Sequence, residues 1–244
     1  MEEIKTKGIV IKTSDFADSD KIVTIFSSDF GLIKARVRGV KKKGAKLAFA
    51  VQPFALVEFL LIKKGDFYSV INATSIDQFF GITNDFDDYI LMLACLEVCG
   101  KTVKENDPQN DLFLLLIECL KAVCYDGSNA MSVFIKFMIE AMKILGFAIQ
   151  IHNCACCGNS LSSVRGFSFE YNGIICGKCQ NKNGYLELIE GEYAILKNID
   201  KCSLNEISKL KFLSRENLVN IISLLAKDFR IFVDEEIETL KQFI

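Results

Sequence analysis

The 244-residue sequence predicts an α+β protein with a small β-barrel at its N-terminus and helices after it. The first 79 residues contain short apolar stretches of strand composition, with alternation at period two where one face is polar. From Asn84 onward the apolar residues recur every three or four positions, which is typical of amphipathic helices. Two closely spaced cysteine pairs interrupt the helical part and indicate a separate metal-binding module.

Five segments of the N-terminal part are rich in β-branched and aromatic residues and are separated by turn-forming residues. They are residues 8–11, 21–26, 32–38, 54–62 and 67–73. Five short strands within 79 residues suit a small barrel, and a five-stranded OB-fold is the expected architecture. An SH3-like barrel fits the strand count nearly as well.

Charge and capping residues indicate where the later helices begin and end. A first helix is predicted over residues 84–104, because aspartates crowd its start and lysines its end, as the helix dipole favours. A second is expected from about Pro108 to before Gly127, and a third from a Ser128 cap to Gly146. Beyond the cysteines we expect a capping box at 203–206 and a long helix, with an interruption allowed, over about 214–243.

The charge is distributed unevenly although the net charge is only −2. Residues 1–79 carry 13 Lys and Arg against 9 Asp and Glu, a balance of +4, whereas the other 165 carry 16 against 22, a balance of −6. Such asymmetry indicates a locally charged surface.

Seven positive charges and no acid fall within residues 34–46. They are Lys34, Arg36, Arg38, Lys41, Lys42, Lys43 and Lys46. Because side chains alternate along a strand, the first three share one face, and a positive groove of this kind holds a phosphate backbone. An edge strand protected by lysines is the alternative. Phe16, Phe30 and Phe49 are candidates for base stacking or for core packing.

Four cysteines form a CxxC–x18–CxxC pattern in which each pair can bring two thiolates from one tight turn to the same ion. Cys154, Cys157, Cys176 and Cys179 are therefore predicted to bind one structural Zn²⁺, with a hairpin turning at Asn172-Gly173 between the pairs. An iron–sulfur cluster is the weaker alternative. Cys156 breaks the spacing, and His152 is expected to be an ordinary surface or packing residue.

Motifs for catalysis are not found. The sequence has no phosphate-binding glycine loop, no nucleophile elbow and no zinc deaminase signature, and four thiolates would leave a zinc ion no open position. The aspartates at 15, 18 and 20 suit turns and caps better than a magnesium site. The acidic start is no secretory signal, and no apolar run approaches the ~18 residues of a membrane span, so a soluble cytoplasmic protein without disulfides is expected.

Several motifs, in this order, resemble the RecO family of bacterial recombination mediators. They are residues 8–11 (GIVI), 16–26 (FADSDKIVTIF), 30–32 (FGL), 38–40 (RGV) and 52–54 (QPF), and the two cysteine pairs flanking Phe167-Ser168. The resemblance is close over the first 80 or so residues and clear in the cysteine module. Asp18 departs mildly from the family, which more often has Glu there, and residues 229–244 lack an expected Lys-Ser pair.

The resemblance implies a non-enzymatic DNA repair and recombination protein associated with the nucleoid. Residues 1–79 would form an OB-fold nucleic-acid-binding domain and residues 80–244 a helical domain with a zinc module at 150–182. Such proteins bind single- and double-stranded DNA, anneal complementary strands and engage RecR and single-strand-binding protein. They thereby help RecA, an indirect partner, to load onto DNA that single-strand-binding protein covers. An RNA-binding OB-fold accessory protein is the alternative function.

Overall fold

A computed structural model of the chain describes residues 3–65, 67–179, 184–210 and 214–243. The five predicted strands form a closed barrel in the order β1-β2-β3-β5-β4. Their bounds are β1 Glu3–Phe16, β2 Asp20–Ser27, β3 Gly31–Val37, β4 Leu56–Lys64 and β5 Phe67–Asp77. Strand β1 closes the barrel by pairing with both β2 and β4, which confirms the expected OB-type barrel.

The barrel core follows from the alternation of side chains along its strands. In β3, Ile33, Ala35 and Val37 are buried, whereas the side chain of Lys34 between them is exposed. Strands β3 and β5 pair in parallel only at Ala35–Tyr68 and Arg36–Ser69. The polar face of β3 therefore stays on the outside of the barrel.

The barrel packs on the helices through its outer face and the β2–β3 turn. Phe26 lies edge-on against Phe113 of the second helix, with ring centroids 5.3 Å apart. At the turn, Gly31 takes a φ of +66°, and a Cβ there would lie 2.3 Å from the backbone oxygen of Lys104. The amide of Leu32 donates to the same oxygen over 3.1 Å, so glycine permits the closest backbone approach between the two parts.

The helical domain has six helices and a small three-stranded sheet among the described residues. The helices are α1 Phe86–Thr102, α2 Asn110–Cys124, α3 Ala130–Ile144, α4 Glu190–Lys201, α5 Leu204–Ile207 and α6 Arg215–Val233. Strands β6 Val164–Ser168, β7 Gly173–Cys176 and β8 Leu186–Glu187 form the sheet in the order β7-β6-β8. Three short 3₁₀ helices cover Ala48–Val51, Phe80–Asn84 and Glu238–Gln242.

Helix α3 lies at the centre of the helical domain, and nearly all of its side chains are buried. Its buried Lys136 donates to the Glu140 carboxylate over 2.7 Å and to the backbone oxygen of Asp200 over 2.8 Å. These two bonds satisfy a charge that would otherwise be costly to bury. Cys95, Cys99 and Cys119 are fully buried in the same core, as expected for small apolar residues.

Three predicted boundaries in the helical part differ from the structure. Asn129 caps α3, because its side-chain oxygen accepts the amide of Ser132 over 3.0 Å; the predicted cap Ser128 was wrong. The last long helix ends at Val233, where Asp234 takes a φ of +59°. Helix α4 was not predicted at all, although the Glu192 carboxylate caps the Ile189 amide over 3.1 Å. In the described part of the chain no helix has the length and apolar composition needed to cross a membrane.

Candidate nucleic-acid surface and metal centre

The seven predicted basic residues form one continuous segment of the barrel surface, which we call the basic surface. Lys34 and Arg36 lie on the outer face of β3, and the other five follow on the β3–β4 loop. All except Arg36 are exposed. The amide of Lys41 donates to the Ser19 oxygen over 3.0 Å, so this loop is held against the β1–β2 turn.

Arg36 has a structural role as well as a positive charge. Its Nε donates to the buried Asp20 carboxylate over 2.7 Å, and its guanidinium lies 4.9 Å from the centre of the Phe16 ring. The other Asp20 oxygen accepts the Gly39 amide over 2.7 Å. The Gly39 and Arg36 hydrogen bonds lower the pKa of Asp20 to about 2. Asp20 therefore ties the β1–β2 turn to β3 and is occupied in doing so, as the expectation of a turn aspartate implied.

Four members of the basic surface have no ion pair within the described residues. They are Arg38, Lys42, Lys43 and Lys46. Lys41 pairs with Asp15 at 3.1 Å, and Lys34 approaches the exposed Glu105 only to 3.7 Å. Exposed pairs of this kind are weak, so most of the positive charge remains available to a polyanion.

Exposed aromatic rings lie at two turns of the barrel. Phe16, at the end of β1, is 42% exposed, whereas Phe30 and Phe49 pack against the barrel core. Phe67 is 72% exposed at the start of β5, and sequence reasoning missed it as a stacking candidate. Since β3 and β5 pair at Ala35–Tyr68, Phe67 and Lys34 stand one residue earlier on neighbouring strands. Its place directly after the turn between the fourth and fifth strands was the signal.

The four predicted cysteines converge on one point. The sulfur atoms of Cys154, Cys157, Cys176 and Cys179 all lie within 4.8 Å of one another. Three of the separations are 3.7 Å for Cys154–Cys179, 4.0 Å for Cys157–Cys176 and 3.6 Å for Cys176–Cys179. A tetrahedral ion with metal–sulfur bonds of about 2.3 Å separates its sulfurs by about 3.8 Å, so the four residues fit a single metal ion.

The electrostatics of this cluster also suit a cation. Burial opposes ionisation of the Cys154 thiol, but amides of Cys176, Cys157 and Cys156 point at its sulfur and lower its pKa to about 6. The pKa of the Cys179 thiol is raised instead, by hydrogen bonds to the sulfurs of Cys157, Cys176 and Cys154. Four thiolates cannot share this space without a positive ion between them.

The module is fixed to the helical core by the hairpin between its two cysteine pairs. Ser168 pairs with Gly173, so the connection is the four residues 169–172, and the predicted two-residue turn was wrong. Gly173 serves a close approach, because a Cβ there would lie 2.6 Å from the Gln150 oxygen. Asn172 takes the positive φ of +49° and donates to the Phe147 oxygen over 3.0 Å. The end of the predicted module, residues 180–182, lies outside the described residues.

Neither His152 nor Cys156 belongs to the four-sulfur cluster. His152 lies 2.7 Å from the Asp200 carboxylate on α4, which confirms a surface packing role. Cys156 is exposed. Within the described residues the four cysteines are the one group of three or more potential ligands that lie close enough to share an ion.

Two family models match the chain. The model described as "Recombination protein O N terminal" matches residues 1–79, and "Recombination protein O C terminal" matches residues 83–225. The chain belongs to the RecO family. The RecO family match spans the barrel, the first three helices, the cysteine cluster and part of α6.

Full-length relatives agree with this assignment to the RecO family. The chain is 29% identical over 247 residues to the "DNA repair protein RecO" of Caldicellulosiruptor saccharolyticus, which covers 100% of this chain and 98% of the relative. It is 30% identical over 192 residues to the protein of the same description from Acetivibrio thermocellus, covering 78% and 76%. A Caldicellulosiruptor bescii relative is 30% identical over 220 residues, covering 90% and 88%. The chain is thus a RecO family DNA repair protein.

Proposed function

We propose that this RecO family protein is a non-enzymatic mediator of recombination. It binds single- and double-stranded DNA, anneals complementary strands and helps RecA to load onto DNA covered by single-strand-binding protein. RecR and single-strand-binding protein are its protein partners, and the cytoplasm, at the nucleoid, is its place of action. Family membership supports this role, and the unpaired cations of the basic surface are the observation that carries it.

The basic surface suits contacts to a phosphate backbone that are independent of base sequence. Arg38, Lys42, Lys43 and Lys46 are exposed on one loop, where they can each approach a phosphate. Neutralising phosphates releases counterions, which supplies most of the affinity in non-specific binding. OB-folds bind oligonucleotides on strands 2 and 3 and on the loops after strands 1 and 4. Phe16 and Phe67 flank those loops and offer rings on which bases can stack.

We assign a single structural Zn²⁺ to Cys154, Cys157, Cys176 and Cys179. Two CxxC turns joined by a hairpin, with sulfurs at tetrahedral separations, are typical of zinc modules. An ion held by four thiolates has no open position for water, so its contribution is to link the two turns and stabilise the helical domain. DNA binding is accordingly a property of the barrel, residues 1–79, and the module at 150–182 maintains the fold of residues 80–244.

Strand annealing is the experiment that tests the mediator role. The purified protein is expected to anneal complementary oligonucleotides coated with single-strand-binding protein, with a rate well above the spontaneous one. A variant with Arg38, Lys42 and Lys43 replaced by Gln is expected to lose most of this acceleration, because the coated strands must first be contacted through their phosphates. Wild-type protein that binds DNA but leaves the annealing rate unchanged would refute the mediator role.

An RNA-binding accessory protein is the second candidate, because the same cationic surface accepts either backbone. Competition between matched DNA and RNA oligonucleotides separates the two. We expect DNA to displace RNA at least as well as RNA displaces DNA. A clear excess of RNA affinity at the same salt concentration would favour the second candidate.

A further inference from the structure

A cleft of about 590 Å³ separates the barrel from the helical domain and has no role in the function proposed above. One wall is the outer face of β1, β2 and β3, and the opposite wall is α1. The C-terminal 3₁₀ turn at Glu238 and Thr239 closes one side. Binding pockets for small molecules and cofactors have volumes of about 300–1,000 Å³, so the cleft is large enough for a nucleotide.

The floor of the cleft is aliphatic. Ile11 and Leu32 contribute from the barrel, and Leu93 and Leu96 from α1. Gly100 keeps the floor open, because a Cβ added there would meet only the Ile11 side chain, at 3.2 Å. No aromatic side chain is among the described residues that line it. A flat apolar group can therefore lie in the cleft without another ring stacked on it.

The mouth of the cleft is cationic on the barrel side. Lys12 is exposed and forms no ion pair with any described residue, and Lys34 is the strand residue that begins the basic surface. The charges on the helical side are already neutralised. The Glu97 carboxylate accepts the amides of Glu238 and Thr239, each over 2.8 Å, and Lys101 pairs with Glu97 at 3.2 Å.

We propose that this cleft binds one unstacked nucleotide of a single strand that continues along β3. The phosphate lies between Lys12 and Lys34, and the base enters and lies on the aliphatic floor. Lys34 belongs to both the basic surface and the cleft mouth, so a strand held on one is led to the other. The proposal rests on the proposed function, since it assumes that the basic surface binds nucleic acid. An acidic, apolar peptide segment has similar chemistry, but it lacks this continuity with the basic surface.

The test uses the full-length metal-loaded protein and a short single-stranded oligonucleotide containing 2-aminopurine, whose fluorescence rises when it leaves a base stack. Wild-type protein is expected to raise the fluorescence at saturation, because the cleft has no described ring to quench it. Gly100→Leu fills the cleft and is expected to abolish the rise while most of the affinity remains. Lys12→Gln should lower the slope of log affinity against log salt by about 0.7, the value for one phosphate contact on a single strand.

Lys7→Gln is the matched control, because Lys7 is exposed on the same strand, has no ion pair within the described residues and lies outside the cleft. It should change neither readout. Lys12→Gln leaves the core untouched, so it tests the proposal even if Gly100→Leu fails to fold. Tight binding with no fluorescence rise, or with a slope unaffected by Lys12→Gln, overturns the cleft proposal and leaves the proposed function standing. An unchanged slope together with weaker binding of an acidic apolar peptide would assign the cleft to a protein partner instead. Failure of the wild-type protein to bind the oligonucleotide refutes both proposals.

Discussion

Replacing Asp228 by Asn is expected to stabilise the protein at neutral pH and to remove part of the pH dependence of its stability. Asp228 lies on α6 with 0% of its surface exposed, and neither carboxylate oxygen has a hydrogen-bond partner among the described residues. Burial disfavours the charged form and raises its pKa to about 7. An aspartate in an unfolded chain has a pKa of about 3.9.

The sign of the effect follows from the protons bound in each state. Between about pH 4 and about pH 7 the folded protein retains a proton on Asp228 that the unfolded chain has lost, so the free energy of unfolding decreases as pH rises. The difference of about 3 pKa units, at about 1.4 kcal/mol each, gives a loss of at most about 4 kcal/mol above pH 7. Between about pH 5.5 and about pH 8, where the metal stays bound, the loss is about 2 kcal/mol.

Urea unfolding of both proteins at these two pH values measures the effect. The stability of Asp228→Asn relative to wild type should increase by about 2 kcal/mol from the lower to the higher pH. Asp234→Asn, at the exposed end of the same helix, is the control and should show no such change. If the difference between Asp228→Asn and wild type were equal at both pH values, the carboxylate would be solvated or paired, and the reasoning from its burial would be wrong.

Two further predictions concern the joint between the two parts and the metal centre. Gly31→Ala should cost more than the ~1–2 kcal/mol of a left-handed backbone alone, because its Cβ meets the Lys104 oxygen; urea unfolding against Gly44→Ala, where φ is +75° and nothing lies within 4 Å, isolates the clash, and equal costs would contradict it. Cys176→Ala should lose the metal and lower the melting temperature of the helical domain while barrel DNA affinity survives. Metal analysis, thermal unfolding and a binding titration check this, and lost DNA affinity with full thermal stability and bound metal would contradict the division of labour.

The barrel could be predicted from sequence because local pattern and burial agree along its strands. Ile33, Ala35 and Val37 alternate with polar residues on β3, and only one orientation of that strand buries all three. The four cysteines were equally legible, because CxxC spacing constrains geometry directly. The alternation could not reveal that Arg36 is engaged by Asp20, since that contact joins two strands through a side chain.

The errors arose where a residue has more than one possible use. Asn172-Gly173 is a strong turn signal, yet Gly173 is needed where the chain approaches Gln150, a contact that is not local. Ser128 and Asn129 are both good caps, and only the fold decides which side chain faces the first turn of α3. The cleft was invisible in the sequence, because Lys12 and Leu96 meet only after the barrel docks on α1.

The salt dependence of single-stranded DNA binding tests the central claim, that the loop after β3 carries the nucleic-acid contacts, most directly. Replacing Arg38, Lys42 and Lys43 by Gln should reduce the slope of log affinity against log salt by about 2, at about 0.7 per lost phosphate contact. A control with Lys121, Lys201 and Lys209 replaced, all exposed on the helical domain, should keep the wild-type slope. An unchanged slope in the loop variant, or an equal reduction in the control, would contradict the account.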